Sequence, residues 1–277
     1  MRELVAQVKT CQLCRLAKTR TNAVPGDGNT AAEVMFVGEG PGYHEDRQGL
    51  PFVGAAGSFL NELLSIAGLS RPEVYIANVV KCRPPNNRDP EPDEIAACAP
   101  YLERQIALIN PRVIVTLGRY SMAKFFPGER ISKIHGTARV VDGRLCVAMY
   151  HPAAGLHQAS LADIIRSDFR KLPLYIEQAR KMLRPTAEQV EERLVEAEAA
   201  REFVVHDPDT AEVIEHPTAP PTVMQRAAQD EPPAAETAPE PQPEPQAAPE
   251  PPAAGARKRK PAKQEQTDYK QLSFFDM

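Results

Sequence analysis

Two hydrophobic patterns alternate along the chain between residues 34 and 172. Continuous apolar or β-branched runs at 34–37, 74–80, 113–117 and 145–149 have the character of strands covered on both faces. Segments 58–67, 93–109 and 161–172 instead carry apolar residues at helical spacing. Strands that alternate with helices predict an α/β fold, with a mainly parallel sheet sandwiched between helical layers.

In such a sheet, ligands collect where loops leave the C-terminal ends of the strands. Three of those loops are distinctive. They follow Val37, Ala77 and Tyr150, and they carry Gly-Glu-Gly-Pro-Gly, then Asn78, then His151-Pro152-Ala153-Ala154-Gly155-Leu156. Their shared position predicts one composite site rather than three unrelated turns.

The pattern changes after residue 184. Pro185 ends the last helix of the domain, and Thr186 can cap a further helix through Ala199, with Val190, Leu194 and Ala197 as a thin apolar stripe. Beyond His206, proline, alanine and glutamate dominate, which predicts a disordered linker. The expected organisation is a folded domain over 1–184, an accessory helix over 185–205, a linker over 206–270 with a basic cluster at 257–260, and a separate terminal motif over 271–277.

Composition adds two bounds. The formal net charge of −4 averages a folded region with an acidic tail, so it does not decide whether a partner is nucleic acid. The opening MRELVAQVKTCQLC lacks the apolar core of a signal peptide, and no later run approaches the roughly 20 apolar residues of a membrane span, so a soluble cytoplasmic protein is expected.

In a reducing compartment, cysteines at such positions suggest metal ligation more than disulfides. Two residues separate Cys11 from Cys14, and fifteen separate Cys82 from Cys98 across a Pro-rich loop. Zinc and an iron-sulfur cluster both suit four thiolates; the alternative is a set of small buried hydrophobes. Cys146, between Leu145 and Val147 in an expected strand, reads as core.

The loop from Gly38 to Asp46 joins glycines, whose peptide N–H groups can face a ligand, to the acids Glu39, Glu45 and Asp46. A plain strand-to-helix connection with solvated acids is the competing reading, and no Gly-Lys-Ser/Thr follows to suggest triphosphate hydrolysis. His151 can donate a hydrogen bond to developing charge, Asn78 can read the edge of a base, and Phe52 can stack on a flat ligand. Taken singly, each has a structural alternative as a loop, capping or core residue.

Together, VGEGPGYHEDRQGLPFVGAAG, YIANVVKCRPPNNRDPEPDE and YHPAAGL, in that order, resemble the family 4, iron-sulfur uracil-DNA glycosylases of bacterial type, over about 11–181. The resemblance implies a three-layer α/β/α fold with a central, mainly parallel four-stranded sheet. It implies a structural [4Fe-4S] cluster on Cys11, Cys14, Cys82 and Cys98, with zinc second. Phe52 corresponds to the residue that stacks on uracil and Asn78 to the one that reads its Watson-Crick edge, within a pocket that includes Gly40, Pro41 and Gly42. Glu39 and Glu45 fall on the acidic positions of the first motif, with Glu39 preferred near the sugar, and His151 falls on the histidine that contacts uracil O2. Gly155 and Leu156 lie on the loop that props the duplex open, and Tyr43 is the candidate wall against the thymine methyl. Segment 81–93 lacks the basic, histidine-bearing insertion of a branch that becomes trapped on DNA, so turnover is expected.

The implied activity is monofunctional excision of uracil from single- or double-stranded DNA by a monomeric enzyme associated with the nucleoid, initiating base-excision repair. The competing class is a noncatalytic iron-sulfur DNA-binding or clamp-associated protein on the same fold. The terminal Gln271-Leu272-Ser273-Phe274-Phe275 resembles the short motif by which bacterial repair proteins bind the sliding clamp, with Gln271, Leu272, Phe274 and Phe275 as anchors.

Overall fold

The computed structural model describes residues 1–202. The linker, the basic cluster and the terminal motif expected from the sequence lie outside the described residues. The strands are β1 (Asp27–Gly28), β2 (Val34–Gly38), β3 (Tyr75–Asn78), β4 (Val113–Leu117), β5 (Thr137–Val141) and β6 (Arg144–Met149). The helices are α1 (Arg2–Thr10), α2 (Tyr43–Gln48), α3 (Ala55–Ile66), α4 (Pro92–Ile109), α5 (Arg119–Phe125), α6 (Ile131–Ile134), α7 (Pro152–His157), α8 (Ala159–Phe169), α9 (Leu172–Arg180) and α10 (Ala187–Glu202).

The sheet order is β1-β3-β2-β4-β6-β5. The four strands expected from the apolar runs form its centre, β3-β2-β4-β6, and they are mutually parallel. Two antiparallel edge strands extend this sheet to six. Neither edge strand has a buried run to announce it: β1 is two exposed residues, and β5 is largely exposed. Connection direction reverses around β2, because β3 lies on one side of it and β4 on the other. A crevice therefore opens at its C-terminal end.

Every residue of the four central strands is buried. Successive side chains alternate between the two sheet faces. Met35, Val37, Ile114, Cys146 and Ala148 pack with Leu4, Val8, Tyr101, Ile106 and Met122 from α1, α4 and α5. Phe36, Val115, Leu117, Val147 and Met149 pack with Leu60, Leu63, Ile165, Phe169 and Ile176 from α3, α8 and α9. This is the expected three-layer arrangement, with Cys146 in its core.

Thr186 caps α10 as expected: its Oγ1 accepts from Gln189 N at 3.3 Å, and Gln189 Oε1 accepts from Thr186 N at 2.9 Å. The preceding helix, α9, ends at Arg180, short of Pro185. Helix α10 continues to Glu202, and it packs on α4. No helix among the described residues is long and apolar enough to cross a membrane.

One contact between α3 and the turn before it is unusually close. A Cβ on Gly57 would lie 1.9 Å from Phe52 O, so only glycine lets the helix start against that turn. Gly57→Ala is expected to cost about 3 kcal/mol through forced separation of the two. Thermal unfolding reads the loss, and an unchanged melting temperature would refute the contact.

Candidate active site

Strand β2 ends at Gly38 and releases Glu39-Gly40-Pro41-Gly42 into α2. Strand β3 ends at Asn78, and β6 runs through Tyr150 to His151 at the start of α7. These segments line a cavity of about 240 Å³. Glu39, Gly40, Pro41, Gly42, Glu45, Phe52, Asn78 and His151, all expected as site residues, share its lining. Ala56, Pro84, Asn87, Arg88 and Ala153 complete it, and nothing in their local sequence distinguishes them from ordinary loop residues.

Phe52 is buried with φ of 53°, a left-handed backbone that a bulky residue adopts only when its surroundings compel it. Two anchors do so. Arg71 Nη1 donates to Phe52 O at 2.8 Å and Nη2 to Pro51 O at 2.6 Å. On the other side, Glu45 Oε1 accepts from Val53 N at 2.8 Å and Gly54 N at 2.9 Å, which also caps the start of α3. The Phe52 ring then lies against His151, with centroids 5.4 Å apart and planes inclined by 27°.

Asn78 is buried, and its Oδ1 has no hydrogen-bond partner. Leaving such an acceptor unpaired costs about 1–3 kcal/mol, so an unmet oxygen on a residue that lines the cavity is informative. A Cβ on Gly38 would lie 2.4 Å from that oxygen and 2.8 Å from the Phe52 ring. Glycine at the end of β2 is what allows the amide and the ring to converge.

His151 caps α7, with Nδ1 accepting from Ala153 N at 3.1 Å. A neutral ring with Nδ1 as acceptor carries its proton on Nε2. Burial pushes the imidazole down to about 4, against an opposing pull from Glu45. Near pH 7 it is therefore a neutral donor with a defined tautomer.

Other expectations are corrected. Asp46 is buried outside the cavity lining, with Oδ1 accepting from Thr21 N at 2.8 Å and Asn22 N at 3.3 Å, so it pins the N-terminal segment. Tyr43 is 52 % exposed beneath the Arg83 guanidinium, and it does not line the cavity. The segment read as a loop around Gly155 and Leu156 is the helix α7, started by the His151 cap and Pro152. Gly155 is buried where a Cβ would meet the Phe59 ring at 2.8 Å, whereas Leu156 is 46 % exposed.

The four expected ligands also converge. Cys11 at the end of α1, Cys14, Cys82 and Cys98 on α4 line one small cavity of about 10 Å³ with Arg20 and Lys81, and all are free thiols. No three or more His, Cys, Asp or Glu side chains among the described residues close to a metal-holding arrangement. The surroundings nonetheless suit thiolates. Arg20 Nη1 donates to Cys82 Sγ at 3.0 Å, Lys81 N to Cys98 Sγ at 3.2 Å and Leu13 N to Cys11 Sγ at 3.5 Å. Burial pushes Cys14 up to about 11 and Cys98 up to about 12, so a bound cation is needed to hold them deprotonated at neutral pH. Arg20, Lys81 and Arg71 escaped the sequence reading. For Lys81, the available signal was a lysine set between Val79-Val80 and Cys82.

Residues 25–174 match the family model described as the uracil DNA glycosylase superfamily. The type-4 uracil-DNA glycosylase of Sulfurisphaera tokodaii is 50 % identical over 182 residues, which is 62 % of this chain and 83 % of the relative. That of Archaeoglobus fulgidus is 48 % identical over 179 residues, 61 % of this chain and 90 % of the relative. A type-5 uracil-DNA glycosylase of Thermus thermophilus is 41 % identical over 149 residues, 46 % of this chain and 68 % of the relative. The loops that converge at the ends of β2, β3 and β6 lie within the matched span, and the chain belongs to the uracil-DNA glycosylase superfamily, among its type-4 members.

Proposed function

We propose that this chain, a glycosylase that excises uracil in DNA repair, reads and releases the base in the cavity between Phe52, Asn78 and His151, leaving an abasic site. The observation that carries the reading is the buried Asn78 amide, whose Oδ1 lacks a partner in the cavity wall. That oxygen suits the N3–H of uracil, and the amide Nδ2 suits O4. Cytosine presents an acceptor at N3 and a donor at the exocyclic amine, which reverses the pattern.

A base inside a duplex is out of reach, so the enzyme extrudes it. Exposed Leu156 on α7 fills the gap in the stack, and buried Gly155 lets α7 seat closely on Phe59 beneath it. Phe52 stacks on the extruded ring. Cleavage between N1 and C1′ leaves negative charge on the base and oxocarbenium character on the sugar. His151 Nε2–H donates to O2 as that charge develops, and a neutral imidazole does so without adding a buried cation to the ground state. Glu39 serves the sugar side and orients the attacking water. Glu45 is the weaker candidate there, because one of its oxygens already holds two backbone N–H groups. The cavity wall beside the base consists of the Gly40-Pro41-Gly42 turn and Glu45, and these groups exclude the thymine methyl in place of Tyr43.

Cys11, Cys14, Cys82 and Cys98 would hold a structural [4Fe-4S] cluster. Four sulfur donors, N–H···S bonds and two neighbouring cations suit a group of net negative charge. A tetrathiolate zinc would carry the same charge, and the resemblance to the iron-sulfur family favours the cluster. Bound there, it would tie α1 to α4 and to the segment after β3. The terminal motif at 271–277 would tether a monomeric enzyme to a sliding clamp.

Asn78→Ala and His151→Ala should each slow uracil release from a single-uracil oligonucleotide by about 10²–10³-fold while keeping the visible absorbance of the cluster. Near-wild-type rates in both would remove the site assignment, and no base release by the cluster-loaded wild type would favour a noncatalytic DNA-binding protein. Histidine NMR should find His151 neutral and Nε2-protonated down to about pH 5, since its native value is near 4; titration near 6.5 would contradict the burial argument. Because the native value is depressed, the unfolded chain takes up this proton first. The contribution of His151 to stability is present above 6.5 and lost as pH falls towards 4. Deleting residues 271–277 should abolish clamp pull-down with oligonucleotide activity intact, and retained pull-down would end the tether reading.

A further inference from the structure

Lys81 is 1 % exposed, and its two ends touch different parts of the protein. Its backbone N–H donates to Cys98 Sγ at 3.2 Å, and Cys82 follows it in sequence. Its ammonium donates to Asn78 O at 2.6 Å and to Gln105 Oε1 at 2.7 Å. Gln105 is itself fully buried and fixed, with Nε2 donating to Pro25 O at 2.6 Å and Tyr75 Oη at 3.2 Å, so its oxygen is committed to Lys81.

Both oxygens that receive the ammonium are neutral. A buried cation with no ionised partner costs several kcal/mol, which is why buried lysines are ordinarily paired with a carboxylate. Lys81 instead lines the small cavity of the four cysteines. Four thiolates around a divalent metal or a [4Fe-4S] core of charge +2 carry a net charge of −2, which would supply the missing counter-charge. Lys81 thus spans the interval between the cysteine site and the residue that reads the base.

We propose that Lys81 is a positioning residue that couples the loaded cysteine site to uracil recognition, by holding the carbonyl of Asn78 and through it the amide facing the cavity. The inference rests on the reading of Asn78 as the base-reading residue and of the cysteines as a metal site. When the site is loaded, its charge retains the ammonium at the end of β3. When it is empty, the anchor lacks that counter-charge and holds the Asn78 carbonyl less firmly. Coupling of this kind is reciprocal: occupancy of the base cavity must stabilise the cysteine site by the same factor.

The test uses the cluster-loaded full-length chain and duplexes with one non-cleavable 2′-fluoro-deoxyuridine or its deoxycytidine counterpart. Lys81→Met should keep its visible cluster absorbance and lose about tenfold of the preference for the uracil duplex, with Lys81→Arg recovering part of it. An unchanged preference in Lys81→Met with wild-type preference intact would overturn this inference alone. A wild type with no uracil preference would overturn the reading of Asn78, and this inference with it. Should Lys81→Met fail to load, the wild type decides. The uracil duplex should slow chelator-driven bleaching of the cluster about tenfold relative to the cytosine duplex, and equal bleaching rates would overturn the coupling.

Discussion

Backbone N–H and C=O groups tolerate burial only when paired, and the four central strands of this protein are buried along their whole length. A parallel sheet covered on both faces meets that demand, but it leaves no room for polar chemistry within the layers. Polar side chains can gather only where the strands end. The reversal of connection direction around β2 opens a crevice at that edge, and Glu39, Asn78 and His151 meet there because β2, β3 and β6 stop at the same level. The position of the site is thus a consequence of how the sheet is satisfied.

Within the crevice, geometry is set by what is missing as much as by what is present. Gly38 and Gly57 lack the Cβ atoms that would collide with Asn78, the Phe52 ring and the Phe52 carbonyl. Arg71 and Glu45 grip the same turn from opposite sides, and the left-handed backbone at Phe52 is held by four hydrogen bonds. Glu45 illustrates how one carboxylate can be committed to architecture while it still faces the cavity. Burial then sets the ionisation: His151 is kept neutral, and the thiols of Cys14 and Cys98 are kept protonated unless a cation joins them. The same low polarity makes His151 a neutral donor and disfavours the thiolate forms of Cys14 and Cys98.

Much of this was legible beforehand, for identifiable reasons. Each central strand is a continuous apolar run, because a strand buried on both faces admits few polar residues, and the four runs stand out from 34–37 to 145–149. Strands β1 and β5 escaped because an edge strand exposed to water needs no apolar run. Asp46 shows the limit for single residues. Its sequence neighbours suggest either a catalytic or a solvated acid, and the structure buries it against the backbone at Thr21 and Asn22, more than twenty residues away. Tyr43 and the segment of Gly155 and Leu156 show how little local conformation a motif position carries: Tyr43, at the start of α2, lies exposed outside the cavity, and the expected loop is the helix α7, which still leaves Leu156 exposed.

By itself the sequence determined the layer order, the order of the motifs and the chemical types available at the strand ends. Those depend on periodicity and on residue identity, which are local. The tertiary structure alone decided which atoms converge and in what state: the unpaired oxygen of Asn78 beside Gly38, the neutral ring of His151 and the span of Lys81 from Cys98 to Asn78. Each of these arises from contact between segments distant in the chain or from the burial that packing imposes, and neither is written in the spacing of any one motif.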